Sequence, residues 1–425
     1  MRKLSRLIVV FAALALMGQG CKTDYFDRDF VDTVLHLSFH NDVVDPNHTW
    51  TLINEGVMQV VVDVPDVAQV MLLSATPLGN AKAEILASAE VMVGSPSRFS
   101  LHYALPLIQD KLYVGATMTD GSHLLGEIDR SKFSINVSSL QSVSESTWNE
   151  PSMQEVYYCY CNGYPQPSSS WDFNDLVLRI GRTLVDDYTI RLHVTLVAVG
   201  TKVQQAAAIR LYGVPYDEVE SVTPVNNKRF VDNTSLVRSL IREDDDLLES
   251  RKGEAVINLF DDAHAAFYSK TDELGMVRRY LYNVTPNTDA SHFTMTPKTI
   301  SYDVRFKKAG KAENITFSMF DPFIVYNYNG SKWEVHKYTY KFDEVLYEYY
   351  SGSPQSYDTG YTWALEIPYS WFAYPREDVP MGSYKKGALY GAYGKYNHSF
   401  GQWAADRYNS RDWYLYPETN MVMYN

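Results

Sequence analysis

From Tyr188 to Leu196 the chain alternates without a break. Tyr188, Ile190, Leu192, Val194 and Leu196 fall on one parity, with Ala198 continuing it, and Thr189, Arg191, His193 and Thr195 fall on the other. Successive side chains of a strand point to opposite faces, whereas a helix gathers its apolar residues at three- and four-residue spacing. The run therefore predicts one long strand in a sheet with one buried face and one wet or lightly covered face. The same rhythm returns in shorter form at 58–62, 69–74, 99–105, 111–117, 203–213 and 300–306. Turn residues such as Pro65-Asp66, Pro77-Leu78-Gly79-Asn80 and Asp120-Gly121-Ser122 punctuate the early runs. A content of 33 Tyr and 8 Trp points the same way, because aromatic side chains suit a pleated, half-buried surface.

The expected fold class is all-β. Two tandem β-sandwiches are predicted: a smaller one over residues 34–136, beginning with a strand at 34–40, and a larger, jelly-roll-like one within 137–425 that carries one or two short helices. Residues 137–153 are rich in Ser and read as the linker between them.

The first residues speak of location. Arg2, Lys3 and Arg6 precede an apolar run over 7–17, followed by Gly18-Gln19-Gly20-Cys21. A basic start, a short apolar segment and small residues form a secretory leader, and the run is too short to span a bilayer. The cysteine directly behind it resembles a bacterial lipobox, although Gly18 stands where Leu is usual. Residues 1–20 are then the leader, Cys21 the lipidated first residue, and 21–33 a tether. Lys22 followed by Asp24, Asp27 and Asp29 is similar to the surface-export signal of Bacteroidetes lipoproteins. The expected place is the outer membrane, at the cell surface, held by lipid. A net charge of −13 argues against nucleic-acid partners.

The candidate site lies at Trp171-Asp172-Phe173-Asn174-Asp175, directly ahead of the strand pattern Leu176-Val177-Leu178-Arg179-Ile180. If the strand extended through it, Asp172 and Asn174 would head the apolar row of Leu176, Leu178 and Ile180. Carboxylates beside a buried face must be paired, hydrogen-bonded or bound to a metal. Two solutions stand open: a hard cation, calcium above all, held by Asp172, Asn174 or Asp175, and the commoner one, in which these groups cap a tight turn. The stretch is not an EF-hand loop, since Leu176, Val177 and Thr183 occupy positions that need a ligand, a glycine and a bidentate glutamate.

Elsewhere the expectations are plainer. Asp261, Asp262 and His264 follow a strand and read as turn chemistry, and Arg242-Glu243-Asp244-Asp245-Asp246 reads as a solvated acidic loop. Cys159 and Cys161 match no zinc pattern without a second pair, and are a local disulfide or two packed thiols. Trp363, Trp403, Trp413 and Tyr414 are candidate platforms for sugar rings; aromatics in such density more commonly form a core.

Taken in order, Trp171–Val177, Ala255–His264, Asp321–Ile324, Glu334-Val335-His336, Trp363–Pro368, Tyr374-Pro375, Trp403-Ala404 and Asp412-Trp413-Tyr414 resemble the LruC domain of bacterial surface lipoproteins. The likeness covers about residues 145–425. It implies a β domain on a surface lipoprotein and assigns no reaction. The family's Phe-Glu-Asp upstream of the core motif is replaced here by Tyr160-Cys161-Asn162, and Ser170 stands in place of an acid, so part of the family's acidic set is missing. The leading expectation is a non-enzymatic, lipid-anchored surface protein that recognises a glycan or a protein or builds a surface assembly. The alternatives are a glycoside hydrolase or lyase, which needs a facing pair of carboxylates, and a fimbrial or adhesin subunit joined by strand addition at 34–40.

Overall fold

A computed structural model describes residues 44–92, 94–95, 97–162, 171–230, 247–268, 276–328, 331–337, 362–385 and 388–424. The leader, Cys21, the tether, the strand expected at 34–40, the loop 163–170 and the acidic run 242–246 lie outside the described residues. The fold is all-β, with short helices only among the described residues.

The first half builds two sheets from β1 (Ile53–Val61), β2 (Val67–Leu73), β3 (Glu84–Glu90), β4 (Arg98–Pro106), β5 (Lys111–Met118), β6 (His123–Asp129), β7 (Ser134–Asn136), β8 (Gln141–Val143) and β9 (Ser152–Met153). One has the order β4-β1-β7 and the other β8-β6-β5-β2-β3-β9. Met58, Val60, Val70, Leu72, Leu112 and Val114 fill the space between them. Residues 137–153 are not a slack linker. β8 pairs with β6, β9 runs parallel to β3, and Val137 and Leu140 enter the core. The serines conceal those few apolar anchors in a composition-based reading.

The second half stacks two larger sheets. Its strands are β10 (Glu155–Tyr160), β11 (Leu176–Asp186), β12 (Thr189–Ala198), β13 (Gln205–Pro215), β14 (Val219–Pro224), β15 (Leu248–Arg251), β16 (Glu254–Phe260), β17 (Leu281–Tyr282), β18 (His292–Phe293), β19 (Lys298–Phe306), β20 (Phe320–Tyr328), β21 (Ser331–Val335) and β22 (Ala364–Ile367). The sheet orders are β14-β19-β12-β11-β10-β22 and β15-β16-β13-β20-β21. The long alternating run is β12, at the heart of the first sheet. Ile190, Leu192, Val194 and Leu196 are fully buried, and Arg191 and His193 reach outward. Towards its end Thr195 and Val197 are covered as well, so the second face is wet over only part of its length. Two short helices follow the strands, α1 (Ala263–Phe267) and α2 (Phe400–Ala405). Ser399 caps α2 by accepting the Gln402 N–H at 3.0 Å.

The two halves are interleaved. Trp50 and Leu52, ahead of β1, belong to the core of the second half. His48 and Trp50 pack against Trp403 at 4.5 and 5.4 Å between ring centroids. Trp403 in turn meets Trp413, which also meets Tyr393 and Phe400 in near-perpendicular contacts at 4.9 and 5.1 Å. At the junction of the halves, Ser370 hydrogen-bonds Glu84, and its hydroxyl also accepts the Glu155 N–H. Burial pushes Glu84 up to about 7, the Ser370 hydroxyl opposes this, and the charge of Glu155 adds to it.

The candidate sugar platforms are largely core, the commoner role for aromatics in such density. Trp363, Trp403 and Trp413 are 3, 1 and 0% exposed and turn no ring face to solvent; they pack against Trp171, Trp50 and Tyr393. Tyr414 is 2% exposed but borders a surface groove.

The outer face of the smaller sheet is buried too, and it carries charge. Arg210 on β13 donates from Nε to Asp321 on β20 at 3.0 Å and forms an ion pair with the same oxygen through Nη2 at 2.9 Å. His336 then bridges Asp321 and Glu334 at 2.7 and 3.1 Å, and Arg251 closes on Glu334. Phe323 stacks on the His336 ring at 4.5 Å. All five charged residues are at most 3% exposed. Burial would push His336 down, but Asp321 and Glu334 overcome it and raise it to about 9. The same contacts, with Arg210 and Arg251, hold both carboxyls below their ordinary values against burial.

Two outcomes follow for stability. Trp413→Ala should cost about 3–5 kcal/mol, read as a lower denaturation midpoint at unchanged m-value. His336→Ala leaves two buried carboxylates short of a cation and should cost about 3–5 kcal/mol at neutral pH. Because the folded histidine titrates above its unfolded value, its contribution is complete below about 6.5 and lost as pH rises through about 9. The gap between parent and variant melting temperatures should shrink across that window.

Candidate metal centre

The stretch 171–175 does not continue the strand behind it. β11 starts only at Leu176, and Phe173 holds a φ of +52°. A left-handed residue turns the chain and interrupts the alternation of faces, so the expected row of Asp172, Asn174 and Leu176 does not form. An aromatic residue rarely accepts this conformation unless its surroundings impose it. Here the Phe173 ring is fully buried between Trp171 and Phe400, at 6.1 and 6.2 Å.

The turn is stitched to a segment two hundred residues away. Asp172 Oδ2 accepts the Asp378 N–H at 3.1 Å, Asn174 Nδ2 donates to the Pro375 carbonyl at 3.2 Å, and the Trp171 carbonyl accepts the Met381 N–H at 2.9 Å. Asp175 Oδ2 accepts the Asn162 N–H at 2.8 Å. The carboxylates thus receive backbone donors, as turn caps do, but the donors lie outside their own turn.

One oxygen each of Asp172 and Asp175 and the sulfur of Cys161 all lie within 4.8 Å of one another. Asn174 is fully buried, and its Oδ1 has no hydrogen-bond partner; a Cβ on Gly200 would run into that oxygen. Glu377 Oε2 is likewise buried without a partner. Burial pushes Asp175 up to about 7 against the pull of the Asn162 N–H. Glu377 is pushed up to about 8 by burial first, then by the charges of Asp175 and Asp378, with Lys202 opposing.

This donor set is mostly oxygen. Burial, then Asp175 and Asp172, raise the Cys161 thiol well above its ordinary value, and its sulfur accepts the Phe173 N–H at 3.3 Å. A protonated thiol among carboxylates and an amide oxygen fits a hard cation better than a soft one. Cys159 and Cys161 are both reduced and buried.

Sequence reading found Asp172, Asn174 and Asp175 but not Glu377 or Cys161. Glu377 follows the Tyr374-Pro375 landmark by two residues, yet no spacing links it to Asp172. Asp261, Asp262 and His264 fall as turn chemistry. Asp262 caps α1 by accepting the His264 and Ala265 N–H groups at 2.9 and 3.3 Å and pairs with Arg279, while His264 Nε2 sits 2.8 Å from the Thr201 carbonyl. Among the described residues no helix is long and apolar enough to cross a membrane.

Comparison with solved structures finds similarity to a Bacteroides ovatus chain, crystallised at 2.08 Å resolution as a "Putative lipoprotein". The TM-score is 0.50 at 14% identity, over 84% of this chain and 99% of that one. At that identity the likeness concerns the fold. Curated proteins give no match. A family model described as a domain of unknown function, DUF4842, matches residues 188–414. That span takes in β12 to β22 and the aromatic core, more than half of the chain, and the protein therefore belongs to the DUF4842 family.

Proposed function

We propose that this protein is a lipid-anchored surface protein with a non-enzymatic binding or structural role, whose larger sandwich is fastened by one calcium ion held by Asp172, Asp175, Glu377 and Asn174. The observation that carries the reading is the approach of one oxygen each of Asp172 and Asp175 and the Cys161 sulfur within 4.8 Å, with the partnerless Asn174 Oδ1 on the same turn and Glu377 close enough for its charge to act with that of Asp175. The ion would join the turn ahead of β11 to the segment 375–381, which the backbone hydrogen bonds already bring together. Extracellular modules bind calcium at roughly 10⁻⁴–10⁻³ M, so a fastening of this kind suits a chain displayed outside the cell. The basic leader, Cys21 and the ordered motifs similar to the LruC domain support the same location, as does the fold shared with a chain solved as a "Putative lipoprotein".

The hydrolase reading asks for two carboxylates facing across an open cleft. Asp321 and Glu334 do face one another, but across His336, at 0 and 2% exposure and paired with Arg210 and Arg251. That arrangement favours a structural part for them.

Titration of the full chain with calcium should show heat near one equivalent and a raised melting temperature. At a hundredfold excess over Kd the gain is about 2.7 kcal/mol. Asp172→Ala, and the nearly isosteric Asp175→Asn and Glu377→Gln, should each reduce both signals. No heat and no thermal shift, in a chain that melts cooperatively, returns these residues to hydrogen-bonding duty alone. Tighter binding of zinc than calcium would assign the site to Cys161 and a softer ion.

A further inference from the structure

A groove of about 270 Å³ opens where the two halves meet, bordered by Tyr369, Trp371, Tyr414, Leu415, Tyr424 and Lys82. Its walls are aromatic. Tyr369 meets Trp371 at 5.7 Å between centroids and Tyr414 at 5.9 Å, both at steep angles, so the rings line a trough and do not stack into a closed plug. Leu415 and Tyr424 are 39 and 58% exposed, although both are large and apolar. The aromatics that the sequence marked are mostly core, but these neighbours reach the surface beside them.

Two polar groups distinguish the groove from a bare apolar patch. Lys82 comes from the first half of the chain and places its ammonium 5.5 Å from the centre of the Trp371 ring. It has no carboxylate partner among the described residues, in a protein whose net charge is −13. The Tyr414 hydroxyl is buried and has no hydrogen-bond partner. A ligand that satisfies this lining needs an apolar face for the rings, acceptors for the hydroxyl, and negative charge for the ammonium. The volume falls just under the roughly 300–1,000 Å³ of pockets that engulf drug-sized ligands, so it suits one ring or the end of a chain.

We infer that this groove binds an acidic sugar, with the pyranose face on Trp371 and Tyr369 and the carboxylate at Lys82. A uronic-acid residue presents axial C–H groups on one face and a carboxylate at its edge, which is the combination the lining asks for. A neutral sugar would leave Lys82 unused, and an apolar peptide would leave both polar groups unused. The inference rests on the binding role proposed above and names its ligand class and place. It does not depend on the metal centre, which uses other residues.

The test is calorimetry of the full chain with uronic-acid oligosaccharides and with their methyl esters, which keep the ring and remove the charge. The acid form should bind, and the ester should bind roughly tenfold or more weakly. Lys82→Gln should bring the acid form down to the level of the ester. Trp371→Ala should weaken both, by roughly tenfold or more as for loss of an aromatic anchor; Trp371→Phe should retain part of the binding and guards against a folding defect. Equal affinity for acid and ester overturns the acidic assignment. Binding that survives Trp371→Ala overturns the groove but leaves a glycan-binding role in place elsewhere on the chain. Absence of binding by a chain with an unchanged melting temperature overturns the inference, and calcium titration of the same sample shows whether the metal-fastened structural reading stands without it.

Discussion

A carboxylate taken out of water has three ways to persist: a cation beside it, a proton on it, or donors around it. This fold uses all three. Asp321 and Glu334 share His336 and each has its own arginine, so both stay ionised on a buried sheet face. Glu84, at the junction of the halves, has a hydroxyl and no cation, and burial raises it towards neutrality. Asp172 and Asp175 have backbone donors, while Glu377 Oε2 beside them has none.

The network around His336 illustrates how such charges constrain a sheet. β13, β20, β21 and β15 each contribute one or two members, and alternate residues on the same strands, Ala207, Ile209, Ile324 and Val335, face the opposite core. A shift of one residue in any pairing would carry a charge into the apolar core and an alanine or valine onto the charged face. The network therefore fixes register, whatever its net effect on stability.

Legibility followed period. β12 was readable because nothing interrupts its alternation, and the runs that became β1, β2, β4 and β5 were readable for the same reason. β3 and β6, each as long as β2, passed unnoticed, since Ala87, Ser88 and Ala89 or Gly126 and Glu127 give little contrast between faces. The site was half legible. Asp172, Asn174 and Asp175 declare themselves as oxygen-bearing groups against a strand, but the turn at Phe173 depends on burial of its ring, which no local pattern reports. Glu377 and Cys161 join through contacts between segments far apart in sequence. The density of aromatics pointed to a core, and Trp363, Trp403 and Trp413 form one; which neighbours reach the surface was not readable, because exposure is a property of packing.

The described chain packs first against the larger sandwich and only then enters the strands of the first half. Asp45 meets Arg407 at 3.1 Å, its N–H donates to the Ala404 carbonyl, and Trp50 is held by Trp403 and Phe400 before β1 starts. Tension applied from the N-terminal side is thus delivered to α2 and the aromatic core of the larger sandwich, and the sheets of the first half lie off the line of force. A chain tethered at that end would load the larger sandwich before the smaller, and among the described residues the first bonds to yield would be those of Asp45 and Trp50.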